Sequence, residues 1–109
     1  MEAMGFFDFL KVPDINVGVK DWETTPHAVL LDVRTPQEYR EGHIPGSKNI
    51  PLQEIEKTGD LVQNRNTPLF AYCHSGARSR QAVSILQRMG FTNVKNLGGI
   101  VSYSGKVEY

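Results

Sequence analysis

Cys73 is the only cysteine in the sequence, and it stands between the apolar run "PLFAY" and the polar stretch "HSGARSR". A thiol in that position is either a packed core residue or a nucleophile delivered to the mouth of a loop. The residues that follow it favour the second reading. Gly76 lets the backbone turn so that successive N–H groups aim at one point, and a helix opening near Ala77 adds unpartnered N–H groups and the positive end of its dipole. Such a cradle lowers a thiol pKa from about 8.5 to roughly 3.5–7.5, which supplies thiolate near neutral pH. Arg78 offers a planar cationic fork for the oxygens of an incoming oxyanion, and no acidic residue within the loop competes for it.

His74 raises the possibility of a Cys–His nucleophilic pair. Adjacent residues in a tight loop point apart, however, and an amide cradle needs no separate base, so His74 is expected to tune the pocket only. The hydroxyls of Ser75 and Ser79 either face the pocket or satisfy the first helical turn. His27 and His43 have no ligand spacing with Cys73 or with each other. Neither a metal nor a cofactor is therefore expected.

The elements that must position this loop can be read from periodicity. "HAVLLDVR" (27–34) holds an apolar run from Ala28 to Leu31 closed by Asp32, the pattern of a short buried strand. "TPQEYREG" follows as a short helix, with Thr35 at the N-cap, Pro36 at the first helical position, Glu38 at the third and Gly42 as terminator. "HIPGSKNIP" predicts a loop around a very short strand, and "LQEIEKTG" a second short helix stopped by Gly59. "TPLFAY" (67–72) is the strand that leads to Cys73, with Pro68 at its entrance. Beyond Ala77 the period changes: Ala82, Ile85, Leu86 and Met89 form one apolar stripe on a helix of about three turns, stopped by Gly90. "TNVKNL" predicts a last strand and "GGIVSYSG" a turn back. At the start, "INVGV" (15–19) reads as a strand, and Phe6, Phe7, Phe9 and Leu10 before it would cover an edge of the core. Strands alternating with helices imply a mostly parallel sheet, with ligands gathering beyond the carboxyl ends of its strands. Cys73 is at such an end.

Composition bounds the function. A chain of 109 residues, 39% hydrophobic and 22% charged, makes one ordinary globular domain. One cysteine forbids an internal disulfide, the N-terminus carries Glu2 and Asp8 where a signal peptide would be apolar, and no stretch reaches membrane-spanning length. A cytoplasmic location is expected. Net charge is zero but unevenly spread: residues 1–60 hold eleven acids against six bases, while residues 61–107 hold six bases and no acid. The thiol lies in the basic half, which would favour small anions near it. Six scattered bases without aromatic interleaving make a poor phosphate-tracking stripe, so nucleic acid is not expected as a partner.

Four stretches, in order, resemble the single-domain rhodaneses, sulfurtransferases of the thiosulfate and persulfide type. They are "LLDVRTPQEYREGHIPGSKNIPL" (30–52), "YCHSGARS" (72–79), "AVSILQRMGFTNVKNLGG" (82–99) and, within it, the double glycine 98–99. The resemblance implies an α/β fold, a three-layer sandwich around a mostly parallel five-stranded sheet, with residues 13–109 as the domain and 1–12 as an extension packed on it or partly flexible. It further implies that Cys73 accepts sulfane sulfur and holds it as a persulfide, and that Arg78 helps bind an anionic donor. His74, Ser75, Gly76, Ala77 and Ser79 would complete the loop around donor and persulfide. Asp32, Arg34, Glu38 and His43 match recurrent residues of the first stretch; they either line the pocket rim or tie the strand end, the short helix and "GHIPG" together, and the structural role is favoured. The implied partners are a small anionic sulfur donor and a thiol or sulfur-acceptor protein, with no nucleic acid and no membrane, and a monomer is expected. Two departures stand out: His74 replaces the arginine the family often has directly after the cysteine, and Tyr103 stands where many members have tryptophan.

Two other functions compete. Cysteine-dependent phosphatases and arsenate reductases also attack tetrahedral anions from a Cys-to-Arg loop, but the phosphatase pattern has five intervening residues and here "HSGA" supplies four. The smaller cradle suits sulfur better than a phosphoryl group. A rhodanese-like binding module without catalysis is the other alternative, although such modules usually lack the cysteine or a usable loop.

Overall fold

The computed structural model describes residues 13–109. The expected N-terminal extension, with its aromatic residues Phe6, Phe7 and Phe9, lies outside the described residues. Helix α1 spans Ile15–Thr24, β1 Val29–Asp32, α2 Pro36–Arg40 and β2 Lys48–Asn49. A 3-10 helix over Leu52–Lys57 runs into the short α3, Thr58–Leu61. Then come β3, Leu69–Cys73, α4, Ala77–Arg88, β4, Val94–Gly99, and a 3-10 turn over Ile100–Ser102.

Among the described residues the sheet has four strands in the order β2-β1-β3-β4, every neighbouring pair parallel. The fifth strand expected from "INVGV" is instead α1. Asp14 caps it by accepting from the N–H of Asn16 at 3.0 Å, and Ile15 and Val19, four residues apart, are its buried face. The β-branched residues suggested a strand, but the cap and the i, i+4 burial belong to a helix. Gly59 likewise falls inside α3 rather than ending the preceding helix.

Alternation along the strands builds two cores. Leu69, Ala71 and Cys73 of β3 face one side, where they meet Leu31, Ile55, Ala82 and Leu86 beneath α4. Phe70 and Tyr72 face the other side, against Leu30, Ile44, Leu97 and the Ile15 and Val19 of α1. This is the expected three-layer arrangement. It follows from the period-2 geometry of a sheet covered on both faces, and the same parity directs the Cys73 side chain to the α4 face. Helix α4 ends as its sequence predicts, with Gly90 beyond it at φ +103°.

Candidate active site

β3 ends at Cys73 and α4 begins at Ala77, so three residues, His74 to Gly76, make the whole connection. Gly76 has φ +105°, a left-handed conformation that turns its N–H back onto the sulfur. The N–H of Gly76 donates to Cys73 Sγ at 3.0 Å, and the hydroxyl of Ser79 lies 3.5 Å from the same atom. Burial of Cys73, 1% exposed, pushes its pKa up. The Ser79 hydroxyl and the backbone N–H groups of Ser79, Gly76 and Ser75 pull it down, and these donors prevail, leaving the thiol below its ordinary value.

The carboxyl end of β4 backs the loop. A Cβ on Gly99 would collide with the carbonyl oxygen of His74 and lie 2.5 Å from Ser75 Cα, so only glycine allows the two backbones to approach this closely. The Val101 N–H donates to the carbonyl of His74 at 3.1 Å and fixes the register of strand end against loop.

Asn96 is a participant that the sequence reading missed. Its Oδ1 accepts from the hydroxyl of Ser79 at 2.7 Å and from the N–H of Gly98 at 3.0 Å, and its Nδ2 reaches the carbonyl of Gly76 at 3.4 Å. The single hydroxyl proton of buried Ser79 therefore has Asn96, the Gly76 carbonyl at 3.1 Å and Cys73 as possible acceptors. Asparagine within "NVKNLGG" carried no signal of this, because the contact depends on how β4 lies beside the loop.

The remaining loop residues divide by exposure. His74, Ser75 and Ala77 are exposed, Arg78 is partly buried and Ser79 buried. Cys73 Sγ accepts from the Gly76 N–H and the Ser79 hydroxyl and not from His74, so the geometry contains no Cys–His pair. Arg78 is engaged from outside the loop: its Nη1 and Nη2 donate to Glu38 Oε1 at 2.8 Å and Oε2 at 3.0 Å. The expected freedom of Arg78 from acidic competition thus holds within the loop and fails across the fold. Glu38 itself sits in a capping box, as its sequence predicts, exchanging hydrogen bonds with Thr35.

The other residues of the first motif are ties. Arg34 donates through Nε and Nη2 to Asp32 at 2.7–3.1 Å and through Nη2 to the carbonyl of Gly42 at 2.7 Å, all within a buried site. His43 stacks on Tyr39 with ring centroids 3.7 Å apart, donates from Nδ1 to the carbonyl of Tyr39 at 2.8 Å, and bridges to Glu108 through two backbone hydrogen bonds. The charge asymmetry of the sequence is partly folded away: Lys95 pairs with Asp21 as Arg78 does with Glu38. Tyr103 packs against the α1-side core, in keeping with an aromatic replacement for tryptophan. No group of three or more metal-type ligands occurs among the described residues, and no helix there is long and apolar enough to cross a membrane.

The thiol, then, is a lowered-pKa sulfur at a strand end, held by N–H and O–H donors, a setting suited to nucleophilic attack and to holding negative sulfur afterwards. In sequence and fold the chain is similar to known proteins. Residues 17–106 match the model of the rhodanese-like domain. Over 71 residues the chain is 42% identical to the thiosulfate sulfurtransferase PspE of Escherichia coli, covering 64% of this chain and 68% of that protein. It is 41% identical over 80 residues to a putative sulfur carrier protein of Bacillus subtilis, covering 72% of this chain but only 43% of that relative. Among solved structures, a rhodanese with anions from E. coli superposes with a TM-score of 0.70 at 36% identity, over 74% of this chain and 96% of that one.

Proposed function

Since the chain belongs to the rhodanese-like domain family, we propose that it is a sulfurtransferase that carries sulfane sulfur on Cys73 as a persulfide. The observation that carries this is the convergence of donors on Sγ of the one cysteine, the Gly76 N–H at 3.0 Å and the Ser79 hydroxyl at 3.5 Å, which lowers its pKa. The thiolate attacks the outer sulfur of a donor, forming the Sγ–S bond as the donor's own S–S bond breaks. The leaving group, sulfite where the donor is thiosulfate, departs with the bonding pair. An acceptor such as cyanide, a thiol or a carrier protein then attacks the terminal sulfur, and the Sγ–S electrons return to Cys73. In this scheme the N–H groups of Ser75, Gly76 and Ser79 stay in place through both steps, so the charge that moves between thiolate and persulfide meets donors already oriented. Arg78 contributes N–H donors to the oxygens of the incoming donor. The side chains of Ser75 and Ala77 are exposed beside the thiol and take no part in the transfer, and His74 sets local polarity.

The experiment is an intact-mass measurement. After incubation with thiosulfate or a thiol persulfide and removal of small molecules, the protein should carry one added sulfur at Cys73, about +32 Da, stable because the cradle disperses its charge. Cyanide should remove that mass as thiocyanate, and Cys73→Ala should show neither step. Wild-type protein that stays unmodified by both donors while its thiol is free and reduced would leave the non-catalytic binding module as the function.

A further inference from the structure

The following inference rests on sulfur transfer at Cys73 and concerns which donor the site takes. The transfer chemistry leaves Glu38 without a task, yet that carboxylate is among the most firmly held groups near the mouth. Its Oε1 accepts the Thr35 N–H at 2.9 Å and Arg78 Nη1 at 2.8 Å, and its Oε2 accepts Arg78 Nη2 at 3.0 Å. The hydrogen bond from Arg78, working against partial burial and aided by Thr35, brings the carboxyl down to about 2, so Glu38 is charged at any pH where the protein works. Arg78 in turn is held charged first by Glu38, and it stands in the first turn of α4, immediately after the loop that holds Cys73.

We propose that the Glu38–Arg78 pair selects sulfur donors by charge, fitting the site to donors with a single negative charge and disfavouring dianions such as thiosulfate. A lone guanidinium attracts a dianion about twice as strongly as a monoanion at the same distance. Paired with a fixed carboxylate it carries no net charge, so the advantage that a lone guanidinium would give the dianion is largely removed. Two of the five guanidinium N–H groups are taken by Glu38, and the other three remain to bond a sulfonyl oxygen whatever the net charge.

The test uses two donors that differ chiefly by one charge: thiosulfate, a dianion, and methanethiosulfonate, a monoanion in which a methyl group replaces one oxygen. Each gives its outer sulfur to the Cys73 thiolate, forming the same persulfide and releasing sulfite or methanesulfinate. The readout is the ratio of kcat/KM for thiosulfate to that for methanethiosulfonate, with cyanide as acceptor. A ratio within one variant is independent of how much of the preparation is folded. Gln at position 38 can still bond the Thr35 N–H, so the cap survives. Glu38→Gln should raise the ratio about tenfold over wild type at low salt, and roughly 0.5 M salt should shrink the difference. A ratio unchanged within about twofold, or lowered, would overturn the proposal while leaving sulfur transfer intact. Failure of both donors to load wild-type Cys73 would overturn sulfur transfer and the charge selection together.

Discussion

β1 and β3 run side by side and finish at the same edge of the sheet, with Asp32 opposite Tyr72 and Cys73 one step further on. Both ends place a potentially negative atom in a buried site, at 0% and 1% exposure, and they treat it in opposite ways. Asp32 is met by a full countercharge: the Arg34 guanidinium binds both its oxygens, the Arg34 N–H adds a bond at 2.9 Å, and the carbonyl of Gly42 accepts a further bond from Nη2. Burial alone would lower the Arg34 pKa, but the Asp32 carboxylate holds it above its ordinary value. Cys73 takes its hydrogen bonds from neutral donors, the Gly76 N–H and the Ser79 hydroxyl. A charge matched by a charge is stable and inert; a charge matched by dipoles is favoured while keeping lone pairs for attack. The contrast between these neighbouring ends explains how one becomes a joint and the other a nucleophile.

The comparison can be broken at the joint. Asp32→Ala leaves a buried guanidinium without its partner and should cost about 3–5 kcal/mol, seen as a lowered denaturant midpoint. The Cys73 pKa should shift little by comparison, because its donors come from the loop and α4. A stability loss under about 1 kcal/mol would show that water or another group can replace Asp32.

It can be sharpened at the nucleophile. Ser79→Ala removes the largest of the influences that lower the thiol pKa, so the pH profile of persulfide formation should move to higher pH. The sign is that of an acid losing stabilisation of its anion: less thiolate at neutral pH, and recovery as pH rises through the new pKa. The rate near pH 7 should fall about tenfold and the rate near pH 9.5 much less. An unshifted profile would mean that the Ser79 proton stays on Asn96 in the thiolate form.

The smallest effect belongs to His74. Its exposed side chain makes no bond to the sulfur, so His74→Ala should change transfer from methanethiosulfonate by no more than about twofold. A loss as complete as in Cys73→Ala, with the fold preserved, would show that the imidazole acts as a base after all.

What the sequence made legible was local. The capping box of α2, the stripe and stop of α4 and the turn at Gly76 all rest on contacts within a few residues, and the structure has each of them. The opening segment was misread because Ile15, Val17 and Val19 alternate as a strand would, while the Asp14 cap that decides for a helix precedes them. Long-range partners were not legible at all. Glu38 and Arg78 are 40 positions apart and Ser79 and Asn96 are 17, and each pair meets only because parallel strands bring their carboxyl ends together. Residue types named the candidates, but sheet order determined which of them touch.

The break in pairing between β3 and β4 gives the double glycine a further consequence. Ala71 lies opposite Asn96, yet Tyr72 lies opposite Gly98, so β4 gains one residue and Gly99 arrives beside Cys73. In an unbroken ladder Gly98 would arrive there instead. With glycine at 98 as well, closing that break would bring no side chain into the backbone of His74 and Ser75. The pair of glycines thus works as a tolerance: the ladder can pair with or without the extra residue and still leave room for the loop.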